Sequence, residues 1–491
     1  MQIADCPASG GIPSVRRGTL RERTAVMTLA AVVICGPLFP QDIPSETWMS
    51  VYIGTAKVGY ARSLIRTTTF EGKPAYQIDD LSKIKVIVMD VEVGQDMEST
   101  TILNEQFDPI RQVFKMSSAG HTTIVTAVYG PKEIVAEVES EGTKSTKTIP
   151  IPPGSKVLGE PLPFDAKLKV GDKFSARYFE PMSLKLDDAE IEVLRKERIK
   201  LEDKEYEALV VKSATSLGET TFWQDERGNS LKMATSLMGL TMTMVREPKE
   251  VAMGESYAPP ADLAVITSCP ASREIANPRQ VKHMKVRLSG LKDKALAISD
   301  ARQKVTLTGS TAEIEINART FEGEGLSLPI KDHKELLAET PYIQSANPQI
   351  ISTAREIVGD EKNAYKAVAL LHDWVESSME TRGDIGVMRS AVDILGAKEG
   401  VCRDYAVLYT SLARAAGIPT KFVTGLIYFK GGFYYHAWAE SFVGEWIPVD
   451  ATLPGIFVDA THIKLAEGDT SAIFDAIKAV GNLKAEVVAF Q

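Results

Sequence analysis

The chain of 491 residues carries 56 Lys and Arg against 65 Asp and Glu, a formal charge of −9. That balance speaks against a nucleic-acid binder, which shows a basic face or stripe. The hydrophobic fraction, 44%, is that of a globular protein, and the length predicts two to four domains.

Taken from the N-terminus, Arg16, Arg17, Arg21 and Arg23 precede an apolar run from Ala25 to Phe39 that Thr28 and Gly36-Pro37 interrupt. Basic residues followed by a short apolar segment read as a signal peptide or targeting leader over residues 1–40. The run is too short and broken for a membrane span of about 20 residues. The expectation is an exported protein: periplasmic, secreted or envelope-associated through the leader.

Residues 45–250 read as a β-rich domain. Alternating segments stand at 47–53, 60–70, 83–93, 99–103, 110–116, 122–129 and 133–140. Residues 149–163, rich in Pro and Gly, break the series, and 164–173 reads as a short helix or turn. A second β group runs from Phe174 to Val245. Within it, Leu237, Met238, Leu240, Met242 and Met244 read as sheet core rather than a ligand-binding methionine surface. The pattern loosely resembles the open antiparallel sheets of exported bacterial proteins that cradle apolar ligands.

Prolines 259, 260, 270 and 278 mark a linker over 251–280. Three short strand candidates then suggest a small β subdomain over 281–340. The catalytic segment, 341–491, opens with helices. Asn347-Pro348 starts one that runs to Val358, and 363–379 forms another, with Val368, Leu371, Val375 and Met379 at helical spacing. His372 on that helix reads as a surface or packing histidine. Ser390 and Asp393 read as a capping box. The loop 380–389, just before Cys402, is expected to form one wall of a cleft.

Cys402 opens a helix that Gly417 and Pro419 end, so its sulfur sits where unpaired N–H groups and the helix dipole favour negative charge. Two strands follow around Lys430-Gly431-Gly432, and the second puts His436, Trp438, Glu440 and Phe442 on one face. If 443–445 forms a three-residue loop, Phe442 pairs with Trp446 and Asp450 lands on the face of His436. A two-residue loop turns it away. A thiol becomes a strong nucleophile when an imidazole takes its proton, and the imidazole needs a partner that fixes its tautomer. Cys402, His436 and Asp450 fill those roles. Glu440 reads as a solvated or ion-paired strand residue, and Trp438 and Trp446 as packing around the site. Cys269 is expected to be a free loop cysteine. No zinc spacing, EF-hand or phosphate-loop pattern is present, so neither metal nor cofactor is expected.

These residues carry a resemblance. Gly400-Val401-Cys402-Arg403-Asp404-Tyr405-Ala406, the helix end Leu412 to Pro419, His436-Ala437-Trp438 and Pro448-Val449-Asp450-Ala451-Thr452 are similar to the core of the transglutaminase-like superfamily of papain-type cysteine enzymes. The resemblance implies an α+β fold, with a Cys-bearing helix packed on an antiparallel sheet that bears His and Asp. It also implies an amide-bond enzyme, peptide or isopeptide hydrolase or acyl transferase, acting on a protein or peptide through a thioester. Cys402 is then the nucleophile, His436 the general base and acid, and Asp450 the orienting acid. Hydrolysis is preferred to crosslinking because water is always at hand. The competing class is a non-catalytic envelope binding or scaffolding protein that uses this core as a platform.

Overall fold

The computed structural model describes residues 43–159, 168–226, 228–237, 239–254, 262–479 and 481–491. The leader read in residues 1–40, with Cys6 and Cys35, lies outside them. So does the start of segment 164–173, whose remainder turns at Gly171 (φ 96°) into the strand Lys173–Glu180.

The strands between Ser45 and Arg246 build one 15-stranded sheet in which nearly every strand pairs with its chain neighbour. The first strand, Ser45–Ile53, lies mid-sheet and pairs with both Ala56–Phe70 and Leu240–Arg246, so the two halves join along it. Side chains alternate, and one face is buried: along Lys73–Val88, Ile78, Asp80, Ser82, Ile84, Val86 and Val88 point inward. The strand expected at 83–93 is instead the end of Lys73–Val88, a turn, and the start of Val91–Leu103. Met89 and Asp90 make that turn with positive φ (52° and 63°), a conformation that seldom falls to residues other than Gly, Asn or Asp. Likewise the methionine-rich stretch folds as a hairpin, Ser230–Leu237 and Leu240–Arg246, with Met242 and Met244 in the core.

The linker is more ordered than its composition suggests. A short helix, Leu263–Thr267, leads into the strand Cys269–Pro270, which adds to the edge of the sheet carrying His436 by pairing with Phe433 and Gly432. Cys269 is therefore a buried strand residue rather than a loop cysteine, and burial pushes its thiol up to about 12. His283–Ser289, Gln303–Thr308 and Thr311–Asn317 form the small sheet, but a fourth strand joins them from the far end of the chain: Lys484–Phe490 pairs with His283–Ser289.

Among the described residues, five α-helices, the last of them Ala472–Ile477, and a five-stranded sheet make the remaining core. Pro348–Val358 is capped by the Asn347 side chain, Ala364–Ser378 by Asn363, and Ala391–Ala397 by the Ser390–Asp393 capping box. Each cap supplies an acceptor to a first-turn N–H that has no partner inside the helix. Cys402–Ala415 is buried along nearly its whole length and packs on the strand Gly432–Phe442.

The N-terminal sheet holds this core through the wall segment 380–389. Ser118 Oγ accepts from Gly386 N (3.1 Å), and Thr123 Oγ1 donates to Met388 O (2.5 Å). Gln95 Nε2 donates to Gly386 O (3.3 Å).

Candidate active site

Cys402 is the first residue of its helix. The helix start is braced from inside: the buried Asp404 carboxylate accepts from Val401 N (3.0 Å) and from Arg389 Nη2 (3.0 Å). Arg403 donates to Val387 O, which ties the helix to the wall segment. The second and fourth residues after Gly400 thus do different work: Cys402 presents sulfur, and Asp404 satisfies the backbone that positions it.

His436 lies on Gly432–Phe442 opposite Gly425. The turn at 443–445 pairs Phe442 with Trp446 and Ala439 with Val449, so Asp450 follows on the face of His436. His436 Nε2 donates to Asp450 Oδ2 at 2.8 Å. Its other nitrogen, Nδ1, has no hydrogen bond of standard geometry, and the Cys402 side chain is its neighbour. Burial alone pulls the imidazole's pKa down. The charge of Asp450, the hydrogen bond to it and the nearness of Cys402 outweigh it, raising His436 to about 10. Burial likewise works against the Asp450 carboxylate, but His436 and His462 hold it well below the usual range. Cys402, His436 and Asp450 are 2%, 4% and 1% exposed, so the site is enclosed.

Asp450 accepts four hydrogen bonds. Oδ1 takes Thr452 N (3.0 Å) and Thr452 Oγ1 (2.7 Å), while Oδ2 takes His436 and also His462 Nε2 (3.2 Å). His462 is fully buried, and its Nδ1 faces the carbonyl of Asp459 (3.2 Å). Asp459 repeats the Asp450 turn: Oδ1 accepts from Thr461 N (2.8 Å) and Oγ1 (2.6 Å), and Oδ2 pairs with Arg279 Nη1 (2.9 Å). Arg302 closes the loop by donating to the carbonyls of His462 and Asp459. Sequence reasoning passed over His462 and Asp459. The available signal was a repeat, Val449-Asp450-Ala451-Thr452 followed by Val458-Asp459-Ala460-Thr461.

His372 is a packing residue, fully buried, with Nε2 on the carbonyls of Asp450 (3.2 Å) and Leu453 (3.1 Å). It pins the backbone that carries Asp450. Glu440 is buried and ion-paired with Lys464 (2.8 Å) rather than solvated. Trp438 packs beside His436 and edge-on to His462 (ring centroids 6.2 and 5.5 Å). Trp446 does not pack around the site. It stacks with Phe442 and His333 under Lys421, roughly 13 Å along the strand from Asp450.

His436, Asp450 and His462 offer donor atoms all within 4.8 Å of one another, a spacing that can hold a metal. Here both Nε2 atoms face a carboxylate oxygen and so carry hydrogens.

Residues 351–451 match the family described as the transglutaminase-like superfamily, and residues 49–245 match a family of unknown function, DUF3108. An uncharacterized protein of Mycobacterium leprae, ML0607, is 29% identical over 127 residues, 24% of this chain and 45% of the relative. One of Haemophilus influenzae is 28% identical over 193 residues, 32% of this chain and 50% of the relative. The chain thus spans about half the length of the curated relatives it matches. A solved structure from Cytophaga hutchinsonii, described as a candidate cysteine protease, is 20% identical with a TM-score of 0.32 and covers 43% of this chain and 86% of its own.

Proposed function

Given that residues 351–451 belong to the transglutaminase-like superfamily, we propose that the chain is a cysteine-dependent amide-bond enzyme acting on a protein or peptide. The observation that carries this reading is the orientation of His436: one ring nitrogen is held by Asp450 at 2.8 Å, and the other is left for Cys402 at a helix start. In the proposed reaction the Cys402 proton passes to His436 Nδ1 and the sulfur adds to the amide carbonyl. The amine leaves with that proton, and a thioester remains on Cys402. Water then attacks the thioester, returning the thiol and releasing a carboxylic acid. An amine in place of water makes the same core a transferase. The backbone N–H of Cys402 is the nearest donor for the oxyanion. Asp450 keeps Nε2 protonated, so Nδ1 is the nitrogen that exchanges the proton.

Thiol reactivity tests the proposal, and Cys269 is its internal control. Cys402, beside an imidazole that can take its proton, is expected to alkylate with iodoacetamide at neutral pH, whereas Cys269, whose thiol is pushed up to about 12, stays unmodified. Cys402→Ala should abolish both the fast adduct and any acyl-enzyme captured from a peptide library. A Cys402 as inert as Cys269 would instead indicate the scaffolding role.

A further inference from the structure

The observations reach furthest at His462. Both its ring nitrogens face acceptors: Nε2 faces Asp450 Oδ2 (3.2 Å), and Nδ1 faces the Asp459 carbonyl (3.2 Å) and carboxylate (3.4 Å). Each ring nitrogen thus has an oxygen within hydrogen-bond range, and Nε2, facing a carboxylate, is a donor. The ring is fully buried and its centroid is 5.8 Å from that of His436.

We propose that His462 is a positioning residue for Asp450 that also tunes His436, a role resting on the reading of Cys402, His436 and Asp450 as a catalytic triad. Two effects follow from its place. The first is geometric. With Thr452 holding Oδ1 and His462 sharing Oδ2, the carboxylate cannot rotate about its bond, so the His436 ring keeps one orientation. The second is electrostatic. A carboxylate facing only His436 would hold the imidazolium tightly, and the ring would be a poor donor to a leaving amine. A second N–H donor on the same oxygen takes a share of that charge and loosens its hold on the His436 proton, bringing the ring nearer to the range where it both accepts and returns a proton. The duplicated Val-Asp-Ala-Thr turn gives His462 an acceptor on each side, which holds the ring where Nε2 reaches Asp450. The other groups facing it are Trp438, which is uncharged, and Arg302, which binds the backbone carbonyls of His462 and Asp459. His372 approaches Asp450 only at its carbonyl.

The test uses the full chain labelled with 15N-histidine, titrated by NMR as the parent and as His462→Leu, with iodoacetamide rates measured in parallel. In His462→Leu the His436 midpoint should move up by about one pH unit, from loss of the N–H that shares Asp450 Oδ2. Asp459→Asn, which keeps the histidine but weakens the contact on its Nδ1 side, should give a smaller upward shift and serves if His462→Leu does not fold. A His436 midpoint that stays in place in a folded variant overturns the proposal, whatever its effect on melting temperature. The alkylation rates separate this from the parent reading: an unreactive Cys402 in the parent chain defeats the enzyme proposal, while the His436 midpoint still decides the role of His462.

Discussion

Two aspartates, one in each half of the molecule, are equally out of reach of water and titrate in opposite directions. Asp80 lies on the inner face of the N-terminal sheet, between Ser63 and Ser99 of the flanking strands, and is fully buried. Neither carboxylate oxygen makes a hydrogen bond of standard geometry. Burial, only partly offset by Ser63, pushes it up to about 7. Asp450 is just as buried, yet four donors and two imidazoles hold it well below the ordinary range. Burial sets the penalty, and the supply of donors decides the sign. A strand spends its N–H groups on its neighbours, so Asp80 finds few nearby. The turn after Asp450 folds its own N–H and hydroxyl back onto the carboxylate within two residues.

Breaking the favourable case should have the largest effect. Asp450→Asn removes the main charge that raises His436, so the imidazole's pKa should fall from about 10 toward the usual histidine range. The proposed amide-bond activity should fall by roughly 10- to 1000-fold, less than in Cys402→Ala because an amide can still orient the ring. A group with a raised folded-state pKa contributes stability that is complete below its unfolded value and lost as pH rises through the folded one. The parent should therefore lose stability between about pH 6.5 and pH 10, and the variant should lose less. Denaturation midpoints across that range check this, and identical slopes would contradict it.

Repairing the unfavourable case comes next. With Asp80 raised to about 7, the folded state holds a proton that the unfolded chain releases near pH 4. This group alone should then lower the parent's stability as pH rises from about 4 to about 7, by up to roughly 4 kcal/mol, and add no further change above. Asp80→Asn cannot ionise. Its urea midpoint should exceed the parent's at pH 8 and lose that advantage at pH 5. A parent midpoint that is flat between pH 4 and 7 would show that Asp80 has found donors.

The smallest effect sharpens the same point. Thr452→Val removes only the hydroxyl donor to Asp450 (2.7 Å) and leaves the backbone one. Stability should drop by about 1–2 kcal/mol, and activity should fall less than in Asp450→Asn. A loss as large as that of Asp450→Asn would mean that the hydroxyl, not the donor count, governs the site.

Features legible before folding are those whose causes lie within a few residues. Asn347, Asn363 and Ser390 cap their helices through bonds to the first turn. The strand register that brings Asp450 to His436 depends on one three-residue turn with Gly444 in it. The β-rich half was harder to divide because its turn at Met89-Asp90 lacks the Gly or Pro that usually marks one, so two strands read as one. His462 stayed hidden for a different reason. Its meaning depends on Arg279 and Arg302, about 160 to 180 positions earlier, and on a carboxylate shared with His436.

By itself the sequence determined which side chains could do chemistry and the local geometry that presents them: a sulfur at a helix start, an imidazole on a strand, a carboxylate in a turn that supplies its own donors. Only the tertiary structure decided their environment. It brought Cys269 and Lys484–Phe490 onto sheets distant in the chain, seated the wall segment on the N-terminal sheet, and placed a second histidine on Asp450. Hydrogen bonds within a turn follow from residue order. The field at a buried charge sums over every segment that packs against it, and those segments meet only when the chain has folded.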